Sequence, residues 1–216
     1  MEGKKGPEFY IAKGISWLFH PMIMPTLGII MINFYFADDM YLTGEGKNAV
    51  IWITLISTFI LPLAFIPFML YQKLIETIEL KTIRERMAPL LITSVFYFFS
   101  VYIMNKMNAP LIYTTFLLSA AISVFCAFLI SLFFKISTHM TGIGGISGFI
   151  YTLLLYTETN MQLLLFASIF AAGFIAYARL RLNAHNAFQV YSGYLLGVAV
   201  SFLVFYIDRT EILLSM

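Results

Sequence analysis

The chain has 216 residues, of which 61% are hydrophobic and only 11% charged, with a formal net charge of +2. A soluble domain carries about 25% charged residues, so most of this surface must face something other than water. Apolar runs of about 20 residues recur, the length that crosses a bilayer as a helix, and the short alternating segments of a membrane barrel are missing. The expected fold is therefore all-α: one integral-membrane domain, a polytopic bundle of about six to seven transmembrane helices. Its surroundings are membrane lipids, and no nucleic-acid partner is expected. The single cysteine, Cys126, lies inside an apolar run and cannot form an intramolecular disulfide.

In chain order, residues 1–13 are polar and contain lysines, and the first span is read over 14–36. It is too long for a signal-peptide core and lacks a small-residue cleavage pattern, so it is read as retained. His20-Pro21 and Pro25 sit near its start, where prolines kink a membrane helix and free carbonyls that neighbours must satisfy. The loop 37–48 holds Asp38, Asp39, Glu45 and Lys47. The second span is read over 49–71, interrupted by Pro62 and Pro67. Residues 72–87 (QKLIETIELKTIRERM) alternate apolar and charged side chains at helical spacing, which predicts an amphipathic extension at the interface. Further spans are read over 88–104, 109–134, 140–156, 161–178 and 190–207.

Seven crossings place alternate loops on opposite sides. Lys4, Lys5, Lys13, Lys73, Lys81, Arg84, Arg86, Lys135, Arg179 and Arg181 fall on one side, and Lys47, Lys106 and Arg209 on the other. The positive-inside rule puts the first side, with the N-terminus, in the cytoplasm, here of a bacterial inner membrane. All three histidines, His20, His139 and His185, lie on or near that side.

Several Arg and Lys converging with two histidines suit a tetrahedral oxyanion, because the guanidinium fork binds phosphate oxygens in pairs. One histidine could attack phosphorus, and the other could protonate the leaving oxygen. Ser137 and the start of the following helix add neutral donors and a favourable dipole.

These residues resemble the type-2 phosphatidic acid phosphatase superfamily of membrane lipid phosphatases. Its third motif is Ser-Arg, five residues, His, three residues, Asp. Arg179, His185 and Gln189 reproduce the spacing, with Ala178 in the serine position and Gln189 in the aspartate position. Its second motif, Pro-Ser-Gly-His, corresponds to Ile136-Ser137-Thr138-His139. Its first motif is Lys, six residues, Arg-Pro. Arg86 precedes Pro89 here rather than an adjacent proline, and Glu79 occupies the lysine position, so Lys81 or Arg84 would supply that charge. Two spans separate each motif from the next, which brings all three to one face.

The resemblance covers roughly 50–210. It implies that His185 is the nucleophile and His139 the general acid. Arg86, Arg179 and Lys81 would hold the phosphate and Ser137 would donate to it. It implies no metal or other cofactor, and substrates that are lipid phosphates or polyprenyl diphosphates. Gln189 lies four residues after His185, on the same face of a helix begun there. Its carbonyl can fix the imidazole tautomer but cannot supply the charge that stabilises an imidazolium. A slow enzyme, an enzyme borrowing a carboxylate (Glu76, Glu79 or Glu85), and a lipid-phosphate binder without turnover all remain open.

The plainer readings are anchoring of Arg179 and Arg181 at a helix end, and binding of anionic lipid by Arg84 and Arg86. His20 reads as a polar residue at a kink. Gly144 with Gly148 and Gly193 with Gly197 read as close helix-packing faces. A transporter or scramblase-like protein is the rival function, built on the broken helices. A structural subunit of a lipid-synthesis complex is a third. Transporters usually carry internal repeats and a site near the midplane. No repeat is visible, and the polar residues gather at one face.

Overall fold

A computed structural model describes residues 6–36, 42–77, 82–157 and 160–215, the last seven by backbone alone. It contains seven helical passes and no strand among the described residues. They are α1 (Pro7–Tyr35), α2 (Gly44–Tyr71), α3 (Ile83–Lys106), α4 (Leu111–Ser131), α5 (Thr138–Tyr156), α6 (Gln162–Arg181) and α7 (Ala187–Ser215). All except α5 contain a stretch long and apolar enough to cross a membrane. Large apolar side chains on the outside, among them Trp17, Phe34, Phe133, Leu163 and Ile207, are exposed as an integral membrane protein requires.

Helix α5 owes its place to its neighbours. It carries His139 and four glycines, and lies against α7 along most of its length. The contact is backbone on backbone. A Cβ on Gly148 would sit 2.6 Å from the Val198 carbonyl oxygen, and one on Gly193 would sit 2.6 Å from that of Ser137. Gly144 approaches Tyr194, and Gly197 approaches Thr141, just as closely. Small residues at this spacing let two helices approach without a hydrophobic drive, which lipid does not supply. Around the pair, Ile29, Ile32, Tyr97, Met104, Tyr113, Phe116, Phe149 and Phe205 form the larger apolar core.

Prolines and left-handed residues set where helices stop. Helix α1 breaks after Leu18, because the residue before Pro21 is pushed out of the α region: His20 has φ −62° and ψ 133°. A single 3₁₀ turn, Pro21–Ile23, then leads into the second half. Helix α2 widens into a π turn at Ile56–Ile60 just before Pro62, which has no N–H to continue the ladder. Lys73, Asn108 and Asn183 have φ of 57°, 51° and 50° and follow the ends of α2, α3 and α6. At each, the next residue's N–H reaches five residues back: Leu74 to Met69, Ala109 to Met104, Ala184 to Arg179. These are three Schellman closures, with asparagine at two of the left-handed positions.

The predicted amphipathic helix over 72–87 is not what forms. Residues 72–77 make a turn after the Lys73 closure, and α3 begins only at Ile83. Thr82 and Glu85 form a capping box there, so the hydrogen-bonding chemistry of a helix start overrides the periodicity of the charges. The helix also begins five residues before the predicted span at 88.

Candidate functional site

The geometry starts with the α6–α7 connection. The Schellman closure at Asn183 ends α6, and a second capping device starts α7 three residues later. Gln189 N–H donates to Asn186 Oδ1 at 2.9 Å, and Asn186 N–H donates back to Gln189 Oε1 at 3.2 Å. This is a capping box with glutamine in the position that glutamate or glutamine favours. Between the two devices sits His185, only 7% exposed. The five-residue interval from Arg179 to His185 is thus set by two back-to-back helix caps.

The capping box also fixes the chemistry of the imidazole. Gln189 Oε1 accepts from a backbone N–H, so its identity as the oxygen is settled by hydrogen bonding. His185 Nδ1 lies 3.1 Å from the same oxygen and must therefore be the protonated nitrogen. That leaves Nε2 with its lone pair free.

The loop before α5 is tied to this connection. Ser137 N–H donates to the Gln189 carbonyl at 3.2 Å, and the Phe134 and Phe188 rings meet edge to face at 5.3 Å. From α3, Arg86 Nη1 donates to the Ile136 carbonyl at 3.3 Å. Arg86, Lys135, Ser137, Arg179, His185 and Gln189 therefore meet at one end of the bundle. His139 follows in the first turn of α5, within electrostatic reach of Arg179, His20 and His185. Its Nε2 lies 3.1 Å from the Ser16 carbonyl oxygen, an acceptor only, so Nε2 carries a proton and Nδ1 is the free nitrogen.

Ser16 and His20 come from the break in α1, outside the stretch that carries the family resemblance. Arg179 Nη1 donates to Ser16 Oγ at 3.4 Å, and the His20 and His139 rings lie 5.8 Å apart. The Ser16 carbonyl belongs to the last turn of a helix half, where no intrahelical N–H reaches it. A sequence signal for the pair exists: Ser16 and His20 are four apart, polar and on one helical face of an apolar run.

The local field is strongly positive. Burial, then the Arg86 and Arg179 guanidiniums, lower the His185 pKa to about 3, against the opposing bond to Gln189. Burial and the same two guanidiniums also lower the Lys135 pKa. Two buried donors, Ser137 Oγ and Arg179 Nε, have no hydrogen-bond partner among the described residues. The N-terminal amides of α5 start at the same place and carry the positive end of the helix dipole. An oxyanion suits every one of these features.

Other candidates lie elsewhere. Arg84 is exposed. Arg181 makes a surface ion pair with Glu8 at 2.8 Å, so it serves as an anchor for the helix end. Glu85 is not a carboxylate partner for His185, because its carboxylate accepts from Thr82 N–H, Thr82 Oγ and Glu76 N–H in the α3 cap. Glu76 is exposed. Lys81 and Glu79 lie outside the described residues. No cluster of three metal-ligating side chains occurs among the described residues.

Comparison with protein-family models, curated proteins and solved structures returned no match for the chain.

Proposed function

We propose that the protein is a membrane phosphatase of lipid phosphates or polyprenyl diphosphates, working through a phospho-histidine. The observation that carries this reading is the joint presence of His185, with Nε2 free, and the Arg86, Lys135 and Arg179 charges within electrostatic reach of it. The Nε2 lone pair attacks phosphorus as the P–O bond to the lipid breaks. The leaving oxygen takes a proton through His139 Nδ1, the nitrogen left free because Nε2 is held on Ser16; that proton comes from the hydroxyl of the singly ionised phosphate itself. Water then attacks the phosphorylated His185, the P–N bond breaks, and a proton passes back to His139. Arg86, Arg179, Lys135 and the Ser137 hydroxyl neutralise charge on the equatorial oxygens. Lys81 and Arg84 have no assigned part in this scheme.

The same reading places the site at the cytoplasmic face of a bacterial inner membrane, on the count of Lys and Arg between the loops. A second reading, a lipid-phosphate binder without turnover, is favoured by one observation: the partner of His185 is an amide and not a carboxylate. Phosphate release from phosphatidic acid, phosphatidylglycerol phosphate and polyprenyl diphosphate, with and without chelator, tests the proposal. Release that persists with chelator and vanishes in His185→Ala supports the phosphatase. Retained lipid-phosphate binding with no release supports the binder.

A further inference from the structure

The break in α1 does more than end a helix. In an unbroken helix the Ser16 carbonyl would accept from the His20 N–H, four residues on. Pro21 forbids this by pushing His20 into the extended region, at ψ 133°. The last helical bond runs from the Phe19 N–H to the Ile15 carbonyl at 3.0 Å. Phe19, at φ −102° and ψ 43°, has already rotated the following N–H off the helix axis. Ser16 is only 7% exposed, and a buried carbonyl left unpaired is costly. The bond comes from α5 instead, through His139 Nε2 at 3.1 Å.

Further contacts hold this arrangement. His20 Nδ1 accepts from the Met22 N–H at 3.4 Å, which closes the 3₁₀ turn and fixes the ring. That ring stands edge to face with His139 at 5.8 Å and with Phe59 of α2 at 6.3 Å. The Met22 carbonyl accepts from Thr58 Oγ1, in the π turn of α2, at 3.4 Å. The two interrupted helices therefore meet at their breaks and brace the His139 ring. The Ser16 hydroxyl oxygen accepts from Arg179 Nη1 at 3.4 Å. Nη1 is the guanidinium corner away from the Nε–H edge. That edge, whose Nε has no partner among the described residues, stays open to an oxyanion.

We propose that Ser16, released by the Pro21 break, is a positioning residue of the site. Its carbonyl orients the His139 ring with Nδ1 as the working nitrogen, and its hydroxyl sets the Arg179 fork. The proposal rests on the lipid-phosphate reading of the cluster. It adds α1, which lies outside the stretch that carries the family resemblance, to the elements that build the site. It also gives His20 and Pro21 a purpose beyond the kink.

Two readouts separate the carbonyl from the hydroxyl, and neither needs turnover. In NMR of histidine-labelled protein in detergent, the His139 Nε2 proton should resonate downfield and exchange slowly. Pro21→Ala lets His20 return to the helix and compete for the Ser16 carbonyl, so this resonance should move upfield or vanish, whereas Pro25→Ala should leave it in place. Ser16→Ala keeps the carbonyl and the resonance, but should weaken binding of dioleoyl phosphatidic acid in nanodiscs about fivefold, with Ser16→Thr restoring it. In a protein that turns over, Pro21→Ala should also lower kcat by up to about a hundredfold. A wild-type His139 proton on Nδ1, a resonance that Pro21→Ala leaves unmoved, or equal binding by wild type and Ser16→Ala overturns the proposal. Absence of phosphate release from the wild type would count against the phosphatase alone, since both readouts remain.

Discussion

Replacing Gln189 by glutamate tests the assignment of the His185 environment most sharply. The substitution keeps side-chain length, so the oxygen stays 3.1 Å from His185 Nδ1 and 3.2 Å from the Asn186 N–H. A capping box accepts glutamate as readily as glutamine. What changes is one negative charge about 4 Å from the centre of the imidazole, worth about 4 kcal/mol at an effective dielectric constant near 20. At 1.36 kcal/mol per pKa unit, that shifts the imidazole by up to about three units. His185 should then move from about 3 toward the ordinary histidine value of about 6.5. Nitrogen-resolved NMR titration of histidine-labelled protein in detergent reads this directly. If half of the interaction is felt in the transition state, about 2 kcal/mol, turnover rises roughly thirtyfold. Aspartate at the same position is one methylene shorter and should raise both quantities less. A His185 pKa that moves by less than about one unit in Gln189→Glu would refute the geometry and the role given to Gln189.

Other expectations follow from the same structure. His185 is held neutral in the fold, with its pKa lowered to about 3, whereas the unfolded chain binds a proton at about 6.5. Its contribution to stability is therefore lost as pH falls from about 6.5 toward 3, and thermal unfolding in detergent should show a shallower decline in His185→Gln. Gly197→Ala forces a methyl against the Thr141 carbonyl of α5 and should cost about 1–3 kcal/mol, seen as a lowered Tm, while Gly145→Ala, with open space at its Cβ, should change little. Asn183→Val puts a β-branched residue at φ 50° and should cost about 1–2 kcal/mol. It should also weaken lipid-phosphate binding, because the same closure sets the distance from Arg179 to His185; Asn183→Gly should spare both.

Much of the bundle was legible in the chain because bilayer thickness fixes helix length, and apolar runs of that length are hard to mistake. The even number of spans between the polar stretches was equally legible, and Arg86, Ser137, His139, Arg179 and His185 do lie at the same end of the bundle. The glycine pairs at i, i+4 marked close-packing faces, and the fold sets those two faces against each other across α5 and α7. What periodicity could not give was capping. The 72–87 segment has the spacing of an amphipathic helix, yet Lys73 closes one helix and Thr82 with Glu85 opens the next. Gln189 was legible as a partner for His185 on i, i+4 spacing, but its second bond, to Asn186 N–H, is what settles the imidazole tautomer. Ser16 and His20 offer only an i, i+4 spacing, and polarity beside Pro21 has an ordinary explanation. Only the tertiary contact between the α1 break and α5 brings Ser16 to His139 and Arg179.

The central claim is that His185 Nε2 takes up the phosphoryl group. The direct measurement is to mix the protein with phosphatidic acid carrying labelled phosphate, quench in alkali during turnover, and map the label by mass spectrometry. The account predicts an alkali-stable, acid-labile phosphoryl group on His185, more abundant in a variant at His139, where the intermediate is hydrolysed more slowly. Phosphate release from the lipid with no label on His185, or undiminished release by His185→Ala, would contradict it.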